Sequence, residues 1–294
     1  MPKSASMRRE QTATTTGAKP DPGRVAAPRR RTASVPVRAG LIRAGVVISV
    51  IVLWDLTTRS GWVDKLFVSS PGDVAGAAAR LSGQGVVWAA LRETGTAILL
   101  AFVIGTAAGI VAGLVLGLSS LLREAYYGIV LFVLSTPKSI FVPIFLLLFG
   151  IGPAASAAFG AMEAFFYVTV SVVGGVALVE DRHLRIARAF RASRWHRFVD
   201  VVLPAASPGI FSGLWFGIKH AFLGVVIVEL YVSFGGLGQL IHQYTNGLKT
   251  DQVFALIGAV VIVAVLIGTG WNRLEARLSR WRGSQGSVAT TVVP

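Results

Sequence analysis

The sequence contains no cysteine, so neither a disulfide framework nor a cysteine-ligated metal site can form, and the redox compartment stays open. Charge is scarce as well: Asp, Glu, Lys and Arg make up 14% of 294 residues, and 14 acids face 28 Lys and Arg. No G-x-x-x-x-G-K-[ST] run occurs, so the chain supplies no phosphate-binding loop of its own. An H-E-x-x-H pair, a Ser/His/Asp ordering and a paired-carboxylate motif are missing too, which leaves a membrane-embedded hydrolase without a reaction. Neither a metal nor a cofactor is expected.

What remains is apolar. Hydrophobic residues are 53% of the chain and glycines number 33, a balance rare in soluble domains of this size. The uncharged run at residues 94–118 exceeds the roughly 20 apolar residues that cross a hydrocarbon core. Hydropathy lays out six spans, about 41–58, 94–118, 125–149, 153–179, 205–230 and 253–271. The fold expected is an all-α membrane protein.

Basic residues report topology. With the N-terminus in the cytoplasm, the inner segments hold most of the Lys and Arg: those up to Arg43, Arg123, six between Arg182 and Arg197, and four between Arg273 and Arg282. This positive-inside bias puts both termini in the cytoplasm. It also makes the net charge of +14 a matter of topology rather than of nucleic-acid binding. Residues 1–39 and 276–294 read as cytoplasmic tails, the first a basic, disordered one beside anionic lipid. The permease-like body covers 40–275.

Within the body, Gly105, Gly109, Gly113 and Gly117 leave one bare helix face for close packing. Pro137 and Pro143 break the third span, as in helices that line cavities. The outer segment 61–85 contains Ser-Pro-Gly-Asp at 70–73 and then turns Ala-rich, which predicts a short interfacial helix.

Arginine recurs at 182, 185, 188, 191, 194 and 197. A transmembrane voltage sensor is the rival reading, but a central Arg costs about 2.5–3.5 kcal/mol, and the spans offer few acids to offset several of them. On one straight helix each three-residue step turns about 300°, so the arginines encircle it and leave no apolar face. Divided near Ala192 and Ser193, the stretch becomes two short helices. Ile186, Ala189 and Phe190 form one stripe and Trp195, Phe198, Val199 and Val202 another; Ser193 caps the second helix, and Leu203-Pro204 ends it. Two basic cytoplasmic helices at the ends of two spans suggest a docking element, or an interfacial pair on lipid phosphates.

This loop resembles that of the permease subunits of binding-protein-dependent ABC importers, with the pattern E-A-A-x3-G-x9-I-x-L-P. Arg185, Ile186 and Ala187 take the E-A-A places, Arg191 the glycine and Val201 the isoleucine, while Leu203 and Pro204 match outright. Together with "TPKSIFVPIFLLLFGIGP" at 136–153 and "GGLGQLI" at 235–241, it is similar to the nitrate, sulfonate and taurine group. The resemblance implies a six-span permease that dimerises around a translocation path. It also implies a coupling loop, 180–204, seated on separate ABC ATPase subunits, and delivery of solute by an extracytoplasmic binding protein. In that loop Arg185, Ile186, Ala187, Phe190, Arg191, Ala192, Ser193, Trp195, Leu203 and Pro204 would meet the ATPase. Arg185 and Arg191 depart from the pattern's acid and glycine. Any salt bridge there needs reversed charge, and a left-handed backbone at Arg191 would be strained.

For the pathway, Lys219 lies roughly 16 Å beyond Pro208, near mid-membrane. An ionisable group at that depth is a functional candidate, and positive charge favours a small anion. His220 beside it, Glu163, and Pro137 with Lys138 at the broken span complete the candidates; a Lys219–Glu163 pair is the structural alternative. Glu229 is a weaker candidate, and Phe165, Phe166, Tyr167 and Trp215 read as packing aromatics.

Overall fold

The computed structural model describes residues 35–64, 66–232 and 235–278. The expected N-terminal tail, up to residue 34, and the C-terminal tail from 279 lie outside the described residues. Every regular element among the described residues is helical. The chain divides into two units, 1–50 and 51–294. The first carries most of α1 (Val35–Arg59), whose Leu41, Val46, Ile48 and Val50 are all exposed, as on a helix bordered by hydrocarbon.

The second unit is built on three long helices: α3 (Gly85–Leu118), α6 (Pro153–Ala177) and α9 (Leu203–Val232). The glycine strip of α3 faces α6. A Cβ on Gly109 would come within 2.8 Å of Val168 Cβ, and one on Gly113 within 2.6 Å of Val172 Cβ, so only glycine admits the approach. Gly160 against Gly224, and Gly175 against Gly209, do the same between α6 and α9. With so little side chain between them the backbones interact directly, and Thr169 Oγ1, which donates to Phe165 O at 2.7 Å, also reaches Gly109 O across the interface at 3.4 Å.

Around this core lie α2 (Pro71–Ser82), α4 (Ser120–Ser135), α5 (Val142–Phe149), α10 (Gly236–Asn246) and α11 (Thr250–Leu278). The expected interfacial helix is α2. Ser70 Oγ accepts from Asp73 N at 3.2 Å, and Pro71 opens the first turn, where its missing N–H costs nothing. Leu81, Leu237, Leu240 and Leu256 bury α2 and α10 against α11, and Arg80 Nη2 meets Asp251 Oδ2 at 2.9 Å.

Three sequence expectations change. The third span is two segments, Ser120–Ser135 and Lys138–Phe149, bent by 93°. Pro137 cannot continue α4, a 3-10 turn (Lys138–Phe141) follows, and Pro143 sits harmlessly in the first turn of α5. Among the described residues five helical stretches are long and apolar enough to cross a membrane, six if the bent pair is counted as one span. The ends also differ: α1 begins at Val35, α3 starts nine residues before the hydropathy run, and α11 continues to Leu278.

Third, Leu203-Pro204 does not end the second loop helix. Arg194–His196 (α8) runs through a π-turn (Arg197–Val202) straight into α9. In the π-turn Leu203 N bonds back to Phe198 O, five residues away. That wider spacing absorbs the register change at a proline with no N–H to give.

Candidate functional site

The arginine stretch forms α7 (Asp181–Ala189), a bend, and α8. Ala192 N donates to Ala187 O at 3.0 Å and Arg191 N to Arg188 O at 2.9 Å, the paired bonds of a Schellman ending. Such an ending needs a left-handed residue, and Arg191 supplies it at φ +53. Ser193 then caps α8, its Oγ accepting from His196 N at 3.2 Å. The break, the cap and the strained arginine are where the sequence put them.

The two stripes are not alike. Ile186 and Phe190 are exposed, Phe190 at 83%, and Trp195 at 69% lies 6.0 Å from Phe198 between ring centroids. Phe198 and Val199 are half-buried and Val202 is buried, because they belong to the rod that becomes α9. Ala187 and Ala192 are half-buried, and Leu203 and Pro204 are exposed. Arg182 pairs with Glu180 at 2.6 Å. Arg185, Arg188, Arg191 and Arg194 have no ion pair among the described residues.

Deep in the bundle the bent span brings Lys138 to Glu163 of α6. Lys138 Nζ lies 3.4 Å from Glu163 Oε2, with the two side chains 5% and 8% exposed. His220 Nδ1, from α9, is 3.7 Å from the same oxygen, buried and without a hydrogen-bond partner. Tyr167 stacks on the His220 ring at 3.3 Å and 11° and holds Lys138 Nζ 5.2 Å from its own centroid. An ammonium and an imidazole thus approach one carboxylate oxygen from two other elements. Unpaired, a charge at that depth would cost several kcal/mol.

The Lys219–Glu163 pair, the structural alternative to a pathway role for Lys219, does not form. Lys219, on the next residue, points away from His220: it is exposed and has no carboxylate within ion-pairing distance among the described residues. Its Nζ rests 5.5 Å from the Trp215 ring centroid and 5.7 Å from that of Phe216, within reach of cation–π attraction. Consecutive helix positions are about 100° apart, so Lys219 and His220 cannot share a partner in the core. Tyr167, read from sequence as packing, belongs to the buried cluster, and Trp215 also stacks on Trp271 of α11 at 5.9 Å.

Glu229 has a structural task. Its Oε2 accepts from Thr94 Oγ1 at 2.9 Å and Gly238 N at 3.2 Å, while Thr94 Oγ1 accepts from Leu237 N at 2.9 Å and Glu93 Oε2 accepts from Gly236 N at 3.0 Å. Two carboxylates and a threonine thereby satisfy the free amides opening α10, where the helix dipole also favours them. Gly235 and Gly236 have φ +73 and +67, which is why "GGLG" stands there. Sequence reasoning missed this clamp, because Glu93 and Thr94 lie over a hundred residues from their partners. A separate groove of about 570 Å³, lined by Trp54, Trp88, Leu91, Phe254 and Leu266 among others, contains no charged side chain.

A bundle knit by small residues, a span broken at a buried ion pair and a capped two-helix loop define a membrane-type helical bundle. Residues 105–281 match the family model described as the binding-protein-dependent transport system inner membrane component, and the chain belongs to that family of ABC importer permeases. It is 29% identical over 244 residues to the taurine transport system permease protein TauC of Escherichia coli (strain K12), covering 81% of this chain and 89% of that protein. It is 27% identical over 262 residues to the putative aliphatic sulfonates transport permease protein SsuC of the same organism, covering 88% and 100%. A solved inward-facing structure of the MetNI methionine ABC transporter shares the fold, with a TM-score of 0.56 at 22% identity over 64% of this chain and 94% of that one. In this family the permease is an inner-membrane subunit, and ATP hydrolysis belongs to a separate one.

Proposed function

We propose that the chain forms half of the translocation path for a small anionic solute, as one of two copies in a homodimer, with both termini cytoplasmic. Lys219 carries this reading. An exposed, unpaired lysine in mid-span cannot face hydrocarbon cheaply, so its helix face borders either water or a second copy of the chain. Ser212, Phe216, Lys219 and Leu223 make a continuous exposed stripe on α9, and a path between two copies would carry two such lysines. A cation focused in a low-dielectric passage concentrates anions there. The relatives named for taurine and aliphatic sulfonates handle solutes that bear a sulfonate group, which fits; nitrate and carboxylate-like anions share the charge.

In this reading His220, Glu163, Lys138 and Pro137 form the wall behind the path rather than its surface. Glu163 neutralises Lys138 at the bend and keeps His220 in register. The loop 180–204 docks on the ATPase subunits through Arg185, Ile186, Ala187, Phe190, Arg191, Ala192, Ser193 and Trp195, with Leu203 and Pro204 at the root of α9. Because α8, the π-turn and α9 are one rod, a push on α8 reaches Lys219 without crossing a hinge. An extracytoplasmic binding protein presents the solute and does most of the selecting, and lipid phosphates meet the remaining basic residues at the membrane surface.

Uptake and solute-stimulated ATP hydrolysis by the assembled transporter test the two halves separately. Lys219→Met should raise the KM for solute about tenfold or more, the loss expected when a desolvated charge pair is broken, with assembly intact; wild-type KM would remove Lys219 from the path. Deleting 185–197 should abolish stimulated hydrolysis, and unchanged hydrolysis would remove the docking assignment.

A further inference from the structure

The groove beside α2 takes no part in the path or the docking loop. Trp54 of α1, Ala75 of α2 and Trp88 of α3, with Phe254, Ile262 and Leu266 of α11, stand around about 570 Å³. The rise from Phe254 to Leu266 is about 18 Å at 1.5 Å per residue, close to one leaflet of a hydrocarbon core roughly 30 Å thick. Water is poorly held there. No charged side chain lines the groove, and the polar groups it has are engaged: the Trp54 and Trp88 indole N–H groups donate to Ser69 O at 3.1 Å and Ser82 O at 2.9 Å, and Ser82 Oγ donates to Ala79 O at 2.9 Å. A trapped water needs about two to four polar partners. The groove opens instead onto hydrocarbon. Ile262 and Leu266 are 60% and 62% exposed, and the apolar surface of α11 continues from them through Val261 and Val265.

We infer that this groove holds one acyl chain of a membrane phospholipid, packed between α2 and α11. Width decides between a lipid chain and a helix. Spread over about 18 Å, 570 Å³ leaves a mean section of about 32 Å², against roughly 80 Å² for a helix 10 Å across. Neither a second copy of this chain nor another subunit can therefore seat a helix there, whereas a single polymethylene chain fits. Small residues keep the space open: a Cβ on Gly258 would meet nothing within 4 Å, and Ala75 and Ala259 present only methyl groups. Because its lining is uncharged, the groove reads the chain and not the headgroup. Occupancy also has a structural consequence. Leu81, Leu237 and Leu256, which bury α2 and α10 against α11, line the same groove, and an empty groove forfeits dispersion contacts along that wall. A bound chain restores them and strengthens the attachment of α2 and α10 to the bundle.

The test places the assembled transporter in nanodiscs of phosphatidylcholine carrying a photoactivatable diazirine within one acyl chain, irradiates it, and maps the labelled residues by mass spectrometry. A parallel set uses phosphatidylglycerol with the same chain. Label should be several-fold denser on the groove residues than on Val261 and Val265 of the open α11 face, equally with either headgroup. It should persist in the groove, and fall away at Val261, when the complex is washed in detergent before irradiation. Gly258→Leu and Ala75→Leu each place a side chain in the groove and should lower its labelling several-fold in complexes that still assemble on size exclusion, while Val261→Leu leaves it unchanged. Groove labelling no denser than at Val261 overturns the inference, and that wild-type comparison decides even where a filled variant fails to assemble. Labelling unmoved by both filled variants in assembled complexes also overturns it. So does labelling that appears with phosphatidylglycerol alone, which would mark a headgroup site, and so does a groove shielded from both lipids, which would mean that another polypeptide covers it.

Discussion

Lys138 and Lys219 both lie within apolar spans of one bundle, and the fold treats them in opposite ways. Lys138 is 5% exposed and lies 3.4 Å from a buried carboxylate; Lys219 is exposed and has two aromatic rings but, among the described residues, no carboxylate within ion-pairing distance. A cation sealed among helices persists only with a counter-charge, because desolvation otherwise costs several kcal/mol. A cation left without one must have water or a partner subunit beside it. The contrast separates the part of the bundle that is structure from the face proposed to be the path.

The largest effect should come from breaking the sealed pair. Glu163→Gln strands Lys138 and is expected to destabilise the permease by about 3–5 kcal/mol, read as a loss of assembled complex on size exclusion or of thermal stability in detergent. Lys138→Met combined with Glu163→Leu should recover most of that loss, since a packed apolar pair removes the uncompensated charge. Next, Gly109→Leu forces bulk between α3 and α6, where a single added Cβ already meets Val168 at 2.8 Å; about 1–3 kcal/mol or more should be lost in the same assay. Glu229→Gln keeps the shape of the α10 clamp but weakens its charge-assisted bonds. It should cost about 1–2 kcal/mol and leave the KM for solute unchanged. The smallest change in stability belongs to Lys219→Met, within about 0.5 kcal/mol, even as its KM rises. A Lys219 variant that unfolds the protein would erase the contrast.

Much of this was legible in the sequence, for identifiable reasons. The spans, the glycine strip and the Ser70 and Ser193 caps are local signals, carried by periodicity and by residues a few positions apart. The division of the arginine stretch followed from helical geometry alone, and the strain at Arg191 followed from aligning it with a glycine. Long-range pairing was not legible. Glu163 takes Lys138 and His220 rather than Lys219 because the 93° bend swings residue 138 into the bundle, and no spacing rule encodes that swing. The clamp on α10 joins Glu93 and Thr94 to residues beyond 228 and left no local trace but its glycines. The continuity of the rod through Pro204 was hidden because a proline usually reports an ending, and a π-turn cannot be read from residue types.

The absence of cysteine gives the most direct test of the central claim, that the Lys219 face of α9 borders an aqueous path. In the assembled transporter, Lys219→Cys should react with a charged, membrane-impermeant thiol reagent, and solute should slow the reaction. Val261→Cys, exposed on α11, should stay unreactive because its face meets lipid. If Lys219→Cys is as inert as Val261→Cys both with and without ATP, that face does not line a path and the account is contradicted.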